Sequence, residues 1–138
     1  MKKLISIIIP MYNEEESLPY LYDRLTKLAD KIENYNMEFL FVNDGSKDNS
    51  LNIVKEYKKS DERVCYLNLS RNFGKEVAMA AALDYVRGDV VAIIDADLQD
   101  PPELIIDMLK YYEEGYDDVY AKRKSRKGET ILKKFTSH

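Results

Sequence analysis

The sequence predicts an α/β protein: a mostly parallel sheet with helices on both faces. Three observations predict it. Short apolar runs alternate with segments whose apolar residues recur at three- and four-residue steps. The runs are nearly continuous in hydrophobicity, as strands buried on both faces should be. The chain has 138 residues, 45% hydrophobic and 33% charged, enough for a core without disulfide help.

The elements follow in order. Leu4–Ile9 reads as a buried strand ended by Pro10. Leu18, Leu21, Tyr22, Leu25, Leu28 and Ile32 form one apolar stripe, which predicts an amphipathic helix from Ser17 to Ile32 with Ser17 as N-cap. Glu38–Val42 is the second strand. A helix from Ser50 to Lys59 turns Leu51, Val54 and Tyr57 inward, and Arg63–Leu67 is the third strand. Lys75–Arg87 is Ala-rich and helical, with Gly88 placed for a left-handed cap. Asp89–Ile94 is the fourth strand. Asp100-Pro101-Pro102 opens a helix with an Asp cap and proline in the first turn; it carries Leu104, Ile105, Met108, Leu109 and Tyr112 and stops at Gly115. Asp118–Ala121 begins a fifth strand.

Composition excludes several functions. The lone Cys65 rules out an internal disulfide framework and a multi-cysteine metal site, and reads as a small buried hydrophobe. The lone His138 argues against His-based zinc chemistry. Leu4–Ile9, the longest apolar run near the start, is too short to span a bilayer and has no signal-peptide cleavage pattern. The net charge of −4 divides unevenly: residues 1–121 carry −10 and residues 122–138 carry +6. An acidic body is a poor surface for nucleic acid, so no nucleic-acid partner is expected. The basic tail suits phosphates or an anionic membrane surface, or is simply solvated.

In parallel sheets, ligands bind beyond the carboxyl ends of the strands. Three polar loops sit there: Pro10-Met11-Tyr12-Asn13-Glu14-Glu15-Glu16, Asn43-Asp44-Gly45-Ser46 and Asp95-Ala96-Asp97-Leu98-Gln99-Asp100. Asp95 and Asp97, two residues apart after a buried strand, can approach one hard cation, with Gln99 as a neutral oxygen donor. Mg²⁺ or Mn²⁺ fits that set and keeps a substrate diphosphate in its shell. The bland reading of Asp95 and Asp97 is a turn or capping aspartate. Asn43-Asp44-Gly45-Ser46 reads by itself as an Asx turn; beside Asp95, Asp44 can instead accept from a base N–H. Tyr12 can stack on a nucleobase or be an ordinary surface tyrosine. Glu14–Glu16 suit the acidic first turn of a helix. Arg71 and Lys75 flank a helix N-terminus and are candidate phosphate partners.

The segments IIIPMYNEEESLP, FVNDGSKDNS, RNFGKEVAMAAALDYVRGDVVAIIDADLQDPPELI and GYDDVYAKRKSR, in this order, resemble the inverting glycosyltransferases of family 2. The resemblance covers Lys3 to Glu129 and points to the subgroup of dolichyl-phosphate mannose synthase and the bacterial undecaprenyl-phosphate glucosyltransferases. It implies the GT-A fold (Rossmann-like, for nucleotide-diphospho-sugars), a nucleotide-sugar donor, UDP-linked in the bacterial subgroup's manner, and a polyprenyl-phosphate acceptor of the cell envelope. It implies Mg²⁺ or Mn²⁺ at the Asp-x-Asp motif. Carried over by position, Pro10, Tyr12, Asn13, Glu14, Val42 and Asp44 line the nucleoside pocket. Asp95 and Ala96 lie against ribose and diphosphate, Lys75 and Arg123 reach the diphosphate, and Asp95, Asp97 and Gln99 hold the metal.

Members of that family are roughly twice as long. The expectation is therefore that residues 1–121 form the nucleotide-sugar-binding part of a GT-A domain and residues 122–138 a basic tail leading into an absent second half. The catalytic base would lie beyond residue 138, as would the segments that hold the parent at the cytoplasmic face of the membrane. The chain itself would be soluble and poorly active, with self-association through a truncated sheet edge as one oligomeric outcome. Two rival classes remain. An Asp-dependent phosphotransferase would carry its Asp-x-Asp after the first strand, and a trapped aspartyl-phosphate would mark it. A non-catalytic nucleotide-binding module would bind nucleotide indifferently to metal. A dinucleotide oxidoreductase is disfavoured because no G-x-G-x-x-G follows the first strand.

Overall fold

The computed structural model describes residues 2–97 and 101–115, together with the backbone of 118–123 and 130–135. By its contacts the chain divides into two compact units, Met1–Leu98 and Gln99–His138.

The first unit contains β1 (Lys3–Met11), α1 (Leu18–Lys31), β2 (Tyr35–Asn43), α2 (Ser50–Ser60), β3 (Val64–Asn68), α3 (Lys75–Leu83) and β4 (Val90–Ile93). The four strands form one parallel sheet in the order β3-β2-β1-β4. Central β1 pairs on both edges, Ile7 lying opposite Phe39 on β2 and Ala92 on β4. Ile5, Ser6, Ile7, Ile8 and Ile9 are all fully buried, so both faces of the sheet are covered here. Each such isoleucine contributes about 2 kcal/mol by leaving water. On one face, Ala78 and Ala82 of α3 sit against Ile8, Leu40 and Val42, with Cys65 and Leu67 at the margin. Small alanines let the α3 backbone approach the sheet closely.

In the second unit, α4 (Leu104–Glu113) buries Ile105 and Leu109, and β5 (Asp118–Arg123) pairs antiparallel with β6 (Thr130–Phe135). The β6 strand arises within the segment expected as a basic tail. The expected Asp100 cap of α4 lies outside the described residues.

Three local expectations are revised. Ser17 occupies the N-cap of α1, but its hydroxyl donates to the Glu14 carbonyl and carboxylate instead of accepting from the helix. The third helix ends at Leu83, not Arg87. Beyond it the amides of Asp84, Tyr85 and Val86 still donate to Ala81 and Ala82, while those of Arg87 and Gly88 leave that pattern and donate to Glu38 Oε2 (3.0 Å) and Ser6 Oγ (2.8 Å). Gly88 is not a left-handed cap; a Cβ there would lie 2.5 Å from Ser6 Oγ and 2.7 Å from the Ser6 amide. Close backbone passage, not positive φ, requires glycine.

Glu38 anchors this corner. Its buried carboxylate accepts from the Ser6 hydroxyl, the Arg87 amide and the Arg87 guanidinium. Burial pushes its acidity toward higher pKa, yet these donors outweigh burial and hold the carboxyl below its usual range.

A second polar cluster joins α1 to the turn before β3. Asp61 accepts a two-point contact from Arg63 at 2.9 Å and a bond from the Tyr22 hydroxyl at 2.6 Å, and Tyr22 stacks on Tyr57 at 4.0 Å. Arg63's donors, foremost, pull Asp61 down to about 2 from an ordinary 3.8. A depressed acid contributes stability that is present above its unfolded pKa and lost as pH falls through the folded one. The Asp61→Asn variant is expected to be less stable at neutral pH by about 1–2 kcal/mol, allowing for partial solvent screening. It should also lose less stability than the parent between pH 4 and 2. Urea melts at pH 7, 4 and 2 check this; parallel losses in the two proteins would contradict it.

Candidate functional site

The chain runs outward from β1 through β2 to β3, then returns across the sheet to place β4 on the free edge of β1. At this reversal the loops after β1 and β4 diverge, and a crevice opens at the strand ends. An open cleft of about 200 Å³ lies there, formed by Pro10, Met11, Tyr12, Glu14, Asp44, Lys75, Asp95, Ala96 and Asp97. All belong to the first unit.

The loop after β1 is fastened to the loop after β2. Asn13 adopts a left-handed backbone (φ 53°), and its side-chain oxygen accepts from the amides of Lys47 (2.8 Å) and Asp48 (3.3 Å). In return, Ser46 Oγ accepts from the Asn13 amide and Ser50 Oγ from the Glu14 amide, both at 2.9 Å. Asn43 Oδ1 accepts from the Ser46 amide three residues on, which closes the Asn43–Ser46 turn through a side chain. The turn also carries a site residue. The buried Asp44 carboxylate accepts from the amides of Phe73 (2.7 Å) and Gly74 (3.1 Å), securing the segment that enters α3. Gly74, at φ 100°, is the N-cap, so Lys75 starts the helix beside the cleft.

Lys75 Nζ lies 2.5 Å from Asp95 Oδ1. Asp97 is exposed, and the small, buried Ala96 between the two aspartates lets the backbone turn against the sheet. Four carboxylates and one ammonium therefore line the cleft. Burial pushes the Glu14 carboxyl above its ordinary range; the Ser17 hydroxyl opposes this, and the charges of Asp97, Asp48 and Asp95 add to it. Excess negative charge of this kind calls for a cation. Among the described residues no three carboxylate, thiol or imidazole groups converge on one point. Asp95 and Asp97 could hold Mg²⁺ or Mn²⁺ only in the manner of sites where one or two carboxylates suffice and phosphates and water complete the shell.

The structure thus brings together Pro10, Tyr12, Glu14, Asp44, Lys75, Asp95, Ala96 and Asp97. Asn13 and Val42 do not line the cleft: Asn13 ties the two loops, and Val42 is wholly buried in the core under α3. Met11 is a lining residue that sequence reasoning passed over, since an apolar residue between Pro10 and Tyr12 gives no chemical signal. Arg71 faces the Phe73 ring at 4.4 Å. Gln99 lies outside the described residues, as does the side chain of Arg123 on β5.

A parallel sheet with acidic loops at the carboxyl ends of its strands, at the point of strand reversal, defines an α/β protein that takes its ligand at that edge. Residues 6–138 match the model described as "Glycosyl transferase family 2", and the chain belongs to that family. It is 50% identical over 132 residues to "Uncharacterized glycosyltransferase YkcC" of Bacillus subtilis (strain 168), covering 96% of this chain and 41% of that protein. It is 41% identical over 133 residues to "Bactoprenol glucosyl transferase" of Shigella phage SfX, covering 96% and 43%. The chain thus spans about two fifths of the length of these relatives. Among solved structures it is similar to S. aureus TarS 1-349 in complex with UDP-GlcNAc, at 30% identity and TM-score 0.63 over 86% of this chain and 33% of that one. The fold is GT-A. Among the described residues no helix is long and apolar enough to cross a membrane.

Proposed function

We propose that this chain forms the donor-binding part of an inverting glycosyltransferase that moves a sugar from a UDP-linked donor to a polyprenyl phosphate. The observation that carries the proposal is the acidic cleft, where Asp95 and Asp97 stand opposite Tyr12, Glu14 and Asp44 with Lys75 alongside. The name of the Shigella phage relative supports a polyprenyl acceptor, and the UDP-GlcNAc complex of TarS supports a uridine donor.

On this reading Tyr12, 40% exposed at the rim, offers its ring to the base. Asp44 retains lone pairs beyond those used by the loop amides and accepts from a base N–H. Lys75 and Arg123 would be the cations that take the diphosphate. Asp97, with Gln99 and Asp95, would hold Mg²⁺ or Mn²⁺, which would supply positive charge to neutralise the departing diphosphate. An acceptor phosphate oxygen attacks the anomeric carbon while the bond to the nucleoside diphosphate breaks, inverting that carbon. The acceptor oxygen is already anionic, so it requires little base assistance. Residues 1–121 would be the donor-binding region and residues 122–138 its basic extension. The parent enzyme would work at the cytoplasmic face of the membrane.

Calorimetric titration of UDP, with GDP in parallel, tests the reading. UDP is expected to bind at least about tenfold more tightly with Mn²⁺ than without, a gain of roughly 1.4 kcal/mol, and more tightly than GDP. UDP binding indifferent to Mn²⁺ would favour a non-catalytic nucleotide module.

A further inference from the structure

Lys75 is the cation the cleft already possesses. Its ammonium lies 2.5 Å from Asp95 Oδ1, while both side chains keep solvent access (54% and 31%). The base of the side chain is fixed: Asp44 holds the amides of Phe73 and Gly74 immediately before it, and α3 begins at Lys75 itself. The tip remains on a long flexible stem that can swing. An ammonium and a divalent cation cannot share one carboxylate oxygen without strong repulsion. With Lys75 on Asp95, the oxygen that would take the metal is therefore occupied.

We infer that Lys75 is an exchangeable stand-in for the metal, released from Asp95 when a divalent cation and a nucleoside diphosphate enter together. This rests on the donor-site reading given above and goes beyond it by assigning an order and a coupling to binding. A metal entering alone displaces Lys75 from Asp95 and sets the ammonium beside a dication, short of its former counter-charge. A diphosphate arriving with the metal supplies that counter-charge and accepts the displaced ammonium. Lys75 thereby makes binding of the two ligands cooperative, and the coupling is reciprocal: each tightens the other by the same factor. In the empty cleft Lys75 offsets the charge of Asp95 without a metal, and stray divalent cations gain less hold there in the absence of donor.

The test uses the full 138-residue chain, MnCl₂ alone, UDP alone and UDP at saturating Mn²⁺, each followed by calorimetry. In Lys75→Met the charge is gone and the stem length is kept; Lys75→Arg keeps a charge. Mn²⁺ alone is expected to bind Lys75→Met about five- to tenfold more tightly than wild type, while the factor by which Mn²⁺ tightens UDP falls about tenfold. The Lys75→Arg variant should resemble wild type in both. Opposite movement of the two affinities is a signature that a merely structural lysine would not produce, because loosening the loop weakens both. Equal Mn²⁺ affinity in wild type and Lys75→Met, or loss of both affinities, overturns the inference, as does Lys75→Arg behaving like Lys75→Met. If wild type couples UDP to Mn²⁺ and Lys75→Met couples them equally, the exchange alone fails. If wild type shows no Mn²⁺ dependence at all, the donor-site reading fails and the exchange falls with it.

Discussion

Asp97→Ala is expected to abolish the dependence of UDP binding on Mn²⁺, with a loss of about tenfold or more at saturating metal, or at least roughly 1.4 kcal/mol. The reasoning starts from exposure. Asp97 lies at the open side of the cleft, so removing its carboxylate leaves no cavity in the core. Its neighbour Ala96 is buried and stays in place, which preserves the turn after β4. Asp95 alone, still contacted by Lys75, would then be the remaining partner of the Asp-x-Asp pair. One carboxylate that is already neutralised holds a dication weakly. The thermal midpoint should stay within about 2 °C of wild type, since surface changes alter stability by a few tenths of a kcal/mol. A variant with intact Mn²⁺-dependent binding would remove Asp97 from the metal site.

Gly45→Ala is expected to give the largest stability loss of any single-methyl change at the site, about 3 kcal/mol, and to lower the thermal midpoint by roughly 10 °C. Two terms add. Gly45 has φ 74°, a conformation that L-residues adopt at a penalty. A Cβ there would also strike backbone, meeting the Asn72 amide nitrogen, the Arg71 carbonyl carbon at 2.5 Å and the Arg71 Cα at 3.0 Å. Backbone cannot rotate out of the way as a side chain can. The two loops would have to separate, and the adjoining Asp44 would lose its short bonds to Phe73 and Gly74. Weaker UDP binding should accompany the loss of stability. Thermal unfolding of the two proteins decides it: a midpoint within about 2 °C of wild type would mean that the loops tolerate separation.

Much of this architecture was legible in the sequence because it follows local patterns. Leu4–Ile9 is apolar throughout and becomes the strand buried on both faces. Asp95-Ala96-Asp97 follows an apolar run, which in a parallel sheet places it at the ligand edge. What escaped depends on partners distant in sequence. Helical propensity continues through Val86, yet α3 ends at Leu83; the amides of Asp84, Tyr85 and Val86 still turn back onto Ala81 and Ala82, and those of Arg87 and Gly88 go to distant Glu38 and Ser6. Gly88 resembled a helix cap, while its actual constraint is a strand 82 residues away. Asn13 reads like a cleft residue by its neighbours, but a left-handed backbone turns it toward Lys47 and Asp48. The β6 strand lies in a basic stretch, and its sequence TILKKF has no two-residue alternation to mark it.

The double pairing of β1 also dictates when the sheet can be finished. β2, one of its partners, follows closely in the chain, whereas β4, the other, begins only at Val90. Contacts of such long sequence separation are slow to form. During synthesis, Ile5–Ile9 must therefore wait with one edge open while the residues of α1 through α3 are made, and the ligand edge assembles last. An unpaired apolar strand is an aggregation template. β1, paired on both edges among the described strands, is thus an apolar segment left open at one edge until β4 is made.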